Sequence, residues 1–116
     1  MIKDFRMHEL SIIQGVVELC EQHSGGRPVL AVTLQIGVLS GVVPEALEFC
    51  FEAVTKGSLL EGARLEIERI EATGFCSDCG IVSRIEAYFD PCPSCGASGL
   101  ALRTGEEMRV KDLEVE

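Results

Sequence analysis

Cys76-Ser77-Asp78-Cys79-Gly80, followed after residues 81–91 by Cys92-Pro93-Ser94-Cys95-Gly96, is the part of this chain that most constrains its fold. Two residues between cysteines let both sulfurs reach one ion from a single tight turn. A glycine after the second cysteine permits the positive φ that such a turn uses. Two of these turns facing each other present Cys76, Cys79, Cys92 and Cys95 as four thiolates in a tetrahedron, a closed site suited to structural Zn2+. Gly74, Gly80, Pro91, Pro93, Gly96 and Gly99 punctuate the surrounding segment with turn and loop signals. A segment this short buries little apolar surface, and a bound zinc ion supplies roughly 10–16 kcal/mol toward ordering it. Residues 73–103 therefore read as an inserted, zinc-ribbon-like minidomain.

The segments on either side read as strands. In residues 63–70, Leu65 and Ile67 face one way and Arg64, Glu66 and Glu68 the other. In residues 107–115, the apolar positions Met108, Val110, Leu113 and Val115 change parity between Val110 and Leu113, which suggests a bulge or an early end. These two strands are expected to pair with each other and close an α/β body around the insertion. Further out, residues 29–38 alternate Leu30, Val32, Leu34, Ile36 and Val38 with smaller or polar residues, a period of two. Met7, Leu10, Ile13, Val17 and Cys20 recur at helical spacing, and Gly25-Gly26 with Pro28 end that helix. Pro44 opens a second helix with the apolar stripe Leu47, Cys50, Phe51 and Val54. The expected fold is α+β: a small mixed sheet with two helices over residues 1–72 and 104–116, plus the four-cysteine domain at 73–103.

Composition narrows the function classes. The chain has 116 residues, enough for one compact domain and a small appendage. Ten Lys and Arg oppose nineteen Asp and Glu, a formal net charge of −9 that repels a phosphate backbone. With no Trp, one Tyr and five Phe, a stacking platform for single strands is poorly supplied as well, so no nucleic-acid partner is expected. The longest uncharged stretch, residues 29–44, contains Gly37, Gly41 and Pro44 and does not read as a membrane span. The N-terminal residues have no apolar core of a secretory signal, so a cytoplasmic location is expected. Thiols stay reduced there, which favours a metal over disulfides for the cysteine quartet. Iron in an S4 site and two disulfides are the competing readings, and Cys-Pro-Ser-Cys-Gly resembles a rubredoxin knuckle.

The other candidate donors are few. Cys20 and Cys50 sit on apolar helix stripes and read as small buried core residues. His23 lies near the end of the first helix and reads as structural or exposed. His8 follows Met7 directly. In a chain beginning at Met7, the terminal amine, two successive amide nitrogens and the imidazole form a planar nitrogen set suited to Ni(II) or Cu(II). On pattern alone, a lone histidine here is more often a cap or a surface residue.

Met7-His8-Glu9-Leu10-Ser11-Ile12, the stretch Val43-Pro44-Glu45-Ala46-Leu47-Glu48-Phe49-Cys50-Phe51, Glu61-Gly62-Ala63-Arg64-Leu65-Glu66-Ile67 and the paired Cys-x-x-Cys turns together resemble the HypA/HybF family of nickel metallochaperones for hydrogenase maturation. The resemblance covers residues 7–116 with four motifs in order. It implies a non-enzymatic carrier with transported Ni2+ and structural Zn2+. By motif match, His8 falls on the family's nickel-binding histidine and Glu9 on the acidic residue beside it. Cys76, Cys79, Cys92 and Cys95 fall on the zinc ligands. The implied partners are a HypB-type GTPase and the precursor of the [NiFe]-hydrogenase large subunit, with urease accessory proteins for those members that serve urease. In the family the motif begins the chain, whereas six residues precede it here; Met7 is the expected functional start. The alternative reading is a zinc-ribbon protein-interaction module without a nickel role, which leaves His8 incidental. No Ser/His/Asp arrangement and no phosphate-cradling glycine loop ending in Lys supports an enzyme.

Overall fold

The computed structural model describes residues 2–116, with side chains from residue 8 onward. The chain folds as two compact units. The first combines the N-terminal segment through Leu34 with Val42–Ile67 and Val110–Glu116; the second combines Gln35–Gly41 with Glu68–Arg109.

Two helices organise the first unit. Helix α1 (Ile2–His23) starts earlier than the Met7 stripe suggests, because residues 2–6 contain neither Gly nor Pro to stop it. Ile13, Val16, Val17 and Cys20 bury its apolar stripe, and the His23 Nδ1–H donates to the Leu19 carbonyl at 2.9 Å, closing the last turn. Helix α2 (Pro44–Val54) opens on proline, as expected, and buries Leu47, Cys50 and Phe51. Glu45, Glu48 and Glu52 stay in water. Cys20 and Cys50 are thus buried core residues, as their positions on the stripes predict.

Strands β1 (Val29–Gly37), β2 (Arg64–Ile70) and β6 (Met108–Val115) form one sheet in the order β2-β1-β6. The expected pairing of the two strands that flank the insertion is therefore corrected: β1 lies between them. The reason is composition. β1 reads Val-Leu-Ala-Val-Thr-Leu-Gln-Ile-Gly and has Val29, Ala31, Val32, Leu34 and Ile36 buried. It needs cover on both sides, whereas β2 and β6 carry the charges that suit edges. Strand β6 runs unbroken to Val115, and its half-buried positions change parity between Val110 and Leu113, where the apolar pattern does.

The second unit holds a three-stranded antiparallel sheet in the order β4-β3-β5, made of β3 (Ala72–Phe75), β4 (Val82–Ile85) and β5 (Ala101–Thr104). The β3–β5 register shifts between Thr73 and Gly74. Arg103 lies over the Phe75 ring, 4.7 Å from its centroid, and Ala72 and Ile85 are buried. Gly37 and Gly105 pass close to each other in this unit. The Gly37 N–H donates to the Glu107 carbonyl at 2.8 Å, and the Leu39 N–H donates to the Gly105 carbonyl at 2.7 Å. A Cβ on Gly37 would lie 2.1 Å from the Gly105 carbonyl carbon, and Gly105 itself has φ +124°. Only glycine fits this crossing.

Candidate metal sites

The two Cys-x-x-Cys segments form matching turns. In the first, the Cys76 N–H donates to the Ile81 carbonyl at 3.0 Å and the Gly80 N–H to the Cys76 carbonyl at 2.7 Å. In the second, the Cys92 N–H donates to the Ala97 carbonyl and the Gly96 N–H to the Cys92 carbonyl, both at 2.8 Å. Gly80 and Gly96 have φ of +72° and +80°, the conformation the spacing predicts for them.

These turns bring the four sulfurs together. Cys76 Sγ lies 3.6 Å from Cys95 Sγ, and Cys79 Sγ 3.7 Å from Cys92 Sγ. All four fall within 4.8 Å of one another. Sulfurs placed ~2.3 Å from one ion at tetrahedral angles would be about 3.8 Å apart. The quartet is therefore sized for a single thiolate-bound ion. The sulfurs are too far apart for disulfides, whose S–S bond is about 2.05 Å, and all six cysteines are free. Cys76 and Cys92 are buried, Cys79 is half-buried and Cys95 is exposed. Among the described residues this is the one group of three or more His, Cys, Asp or Glu side chains able to share an ion.

Crowding four thiols separates their acidities. The backbone N–H of Cys95, then that of Ser94, stabilises the Cys92 thiolate and brings this thiol down to about 7, against the desolvation that opposes it. Cys79 receives the Ile81 N–H, which acts to lower it, yet burial and sharing with Cys76, Cys92 and Cys95 push it up to about 12. The Cys95 thiol is also raised: the Ala97 N–H lowers it, but contact with Cys76, desolvation and contact with Cys92 outweigh that. Four adjacent anions repel, so the quartet carries its full negative charge only with a cation at its centre.

His8 and Glu9 are placed quite differently from each other. His8 is exposed on α1. Glu9 is fully buried. Its Oε2 accepts the Val43 N–H at 3.1 Å, while its Oε1 is buried with no hydrogen-bond partner among the described residues. Val43 caps α2 and contributes no capping side chain. Glu9 thus supplies from another helix the contact that the closing Glu or Gln of a capping box makes within its own. It also sets a carboxylate at the positive end of the α2 dipole. Sequence reasoning missed this role; its signal is the apolar Val43 standing where a capping Ser, Thr, Asp or Asn is the common choice. The Met7 donor lies outside the residues whose side chains are described. Along α1 the backbone N–H groups bond to carbonyls four residues earlier. In this conformation His8 presents its imidazole, and the amides of residues 8 and 9 are part of the helical ladder.

No described helix is long and apolar enough to cross a membrane.

A family model described as HypA, hydrogenase/urease nickel incorporation, metallochaperone, matches residues 7–115. Hydrogenase maturation factor HypA of Geobacter metallireducens is 64% identical over 110 residues, which covers 95% of this chain and 100% of the relative. Its counterpart in Geobacter sulfurreducens is 61% identical with the same coverage. The solution structure of the Ni metallochaperone HypA from Helicobacter pylori is similar with a TM-score of 0.65 at 27% identity, over 92% of this chain and 96% of that one. The solution structure of a HypA protein is similar with a TM-score of 0.68 at 28% identity, over 95% and 97%. Agreement of this extent, in sequence and in fold, establishes that the chain belongs to the HypA family, the metallochaperones of hydrogenase and urease nickel incorporation.

Proposed function

We propose that this chain is a nickel carrier: it binds Ni2+ at His8 and delivers it for maturation of [NiFe]-hydrogenase, with urease as a second recipient. Cys76, Cys79, Cys92 and Cys95 hold a structural Zn2+. The nickel-binding domain is residues 1–72 and 104–116, and the zinc-binding domain is residues 73–103. The protein acts in the cytoplasm, is not an enzyme, and works with a HypB-type GTPase and the hydrogenase large-subunit precursor, and with urease accessory proteins where urease is served.

The observation that carries this reading is the contrast between its two donor sets. Four sulfurs 3.6 to 4.8 Å apart make a closed site with no position left for exchange. The His8 imidazole is exposed and shares its surroundings with no ligand cluster among the described residues. A thiolate cage retains an ion, whereas a single accessible imidazole passes its ion to an incoming ligand. Softness matches as well: thiolates select zinc, and nitrogen donors suit Ni(II). The Glu9 carboxylate is held by α2 in the metal-free fold, so it joins the nickel site only after leaving the Val43 N–H. Likewise, a planar nitrogen set that includes the amides of residues 8 and 9 requires the first turns of α1 to unwind.

The test is simultaneous nickel and zinc stoichiometry on the wild-type chain and on His8→Ala. The expected result is one zinc in both and loss of nickel in the variant. Wild-type nickel affinity in His8→Ala would refute the assignment of the nickel site.

A further inference from the structure

Phe89 is 96% exposed, the most exposed large apolar side chain among the described residues. It stands at the tip of the segment Glu86-Ala87-Tyr88-Phe89-Asp90-Pro91, between β4 and the second cysteine turn. A floppy loop can wave a phenylalanine in water without consequence, but this tip is fastened on both sides. The Asp90 carboxylate accepts the Glu86 N–H at 2.8 Å and the Ala87 N–H at 3.1 Å, and the Asp90 N–H donates to the Ala87 carbonyl at 3.2 Å. The single Tyr88 hydroxyl proton is shared between the Glu106 carboxylate and the Leu39 carbonyl, the latter at 3.2 Å. The hydrogen bond to that carboxylate, then desolvation and the carboxylate's negative charge, push the Tyr88 hydroxyl above its ordinary value.

Each of these contacts orders backbone or Tyr88, and none buries Phe89. The tip is therefore rigid before it meets anything, which removes much of the ordering cost of association. Aromatic anchors of this kind, fixed and fully available, dominate binding energy at protein interfaces. The rim chemistry states what the partner must look like. Glu86 and Asp90 flank the ring in sequence, and Glu106 meets its neighbour Tyr88. Within the segment 86–91 there is no Lys or Arg. A second copy of this chain, at a net charge of −9, brings like charge to the same place.

We infer that the Tyr88–Phe89 tip is a docking anchor for a partner protein that offers an apolar pocket rimmed by Lys and Arg. This inference rests on the proposed carrier function only in the choice of probe. Labelled wild-type chain and Phe89→Ser, both zinc-loaded, are titrated with the purified HypB-type GTPase and, separately, with the purified hydrogenase large-subunit precursor, at low and high salt. Because Phe89 packs on nothing, zinc content and thermal midpoint stay at their wild-type values in the variant. The expected result is at least about a tenfold loss of affinity for one of the two proteins in Phe89→Ser, with wild-type binding to that protein weakened by salt. Unchanged affinity of Phe89→Ser for both proteins, or wild-type binding that ignores salt, overturns the anchor while leaving the carrier reading intact. Absence of wild-type binding to either protein overturns the carrier reading itself. Dimerisation of the wild-type chain that is lost in Phe89→Ser, read by sedimentation, assigns the tip to self-association and overturns the proposed partner.

Discussion

The same substitution, glycine to alanine, is expected to act in opposite directions at two positions of this chain. At Gly37 the added Cβ would lie 2.1 Å from both the carbonyl carbon and the oxygen of Gly105, and 2.6 Å from the Glu106 nitrogen. Ordinary contact begins near 3.4 Å, so one backbone must retreat by more than about an ångström. Neither is free to do so. The Gly37 N–H is bonded to Glu107, and the Gly105 carbonyl accepts from Leu39. Retreat breaks these two bonds, at a net ~1 kcal/mol each, and leaves buried polar groups unmatched at about 1–3 kcal/mol more. Gly37→Ala should therefore cost about 3–5 kcal/mol, a large share of a typical domain's 5–15 kcal/mol. Gly15 is the counterpart. It lies inside α1, exposed, with nothing within 4 Å of where an alanine methyl group would sit and no positive φ. There Ala removes unfolded-state freedom and should stabilise by about 0.5–1 kcal/mol. Urea unfolding of the zinc-loaded chains, followed by far-UV circular dichroism, measures both. A Gly37→Ala unfolding free energy within about 0.5 kcal/mol of wild type, or a change of the same sign in the two variants, would refute the reasoning from backbone approach.

Zinc binding requires four thiolates, and Cys92 sits at about 7 while Cys79 sits at about 12. Protons must leave as the ion enters, so zinc uptake at pH 7 should release about three to four protons per ion, and affinity should fall steadily as pH drops below 7. Calorimetry in buffers of different ionisation enthalpy reads this number; a release of two or fewer would exclude an all-thiolate site. Glu9→Ala should strip the N-cap contact from Val43, costing ~1 kcal/mol and speeding amide exchange over the first turn of α2. His8→Ala, altering an exposed side chain, should leave that exchange unchanged.

Local pattern was sufficient for the two helices, for β1, β2 and β6 and for the thiolate quartet, but not for the short strands β3, β4 and β5, whose few residues carry no period long enough to read. A Cys-x-x-Cys turn is closed by its own backbone, so Gly80 and Gly96 carry positive φ wherever the rest of the chain lies. The stripes of both helices and the alternation in β1 are equally local, since burial follows the period of the element. Other features depend on residues far apart in the chain. The place of β1 between β2 and β6 was not legible, because strand order is set by competition for cover and not by any one strand's pattern. The contrast between exposed His8 and buried Glu9 was not legible either. Adjacent helical positions differ by about 100°, and only the docking of α2, which brings the Val43 N–H to Glu9, decides which side is inside.

By itself the amino-acid sequence determined an α+β chain with two helices, a cysteine quartet at metal-binding spacing and a histidine apart from it, because these rest on short-range periodicity and turn geometry. Tertiary structure alone decided that β1 is central, that Gly37 must pass against Gly105, that Glu9 caps α2, and that Phe89 is held out into water. Each of these depends on which distant backbone or side chain comes to fill the neighbouring space, and packing settles that for the whole chain at once.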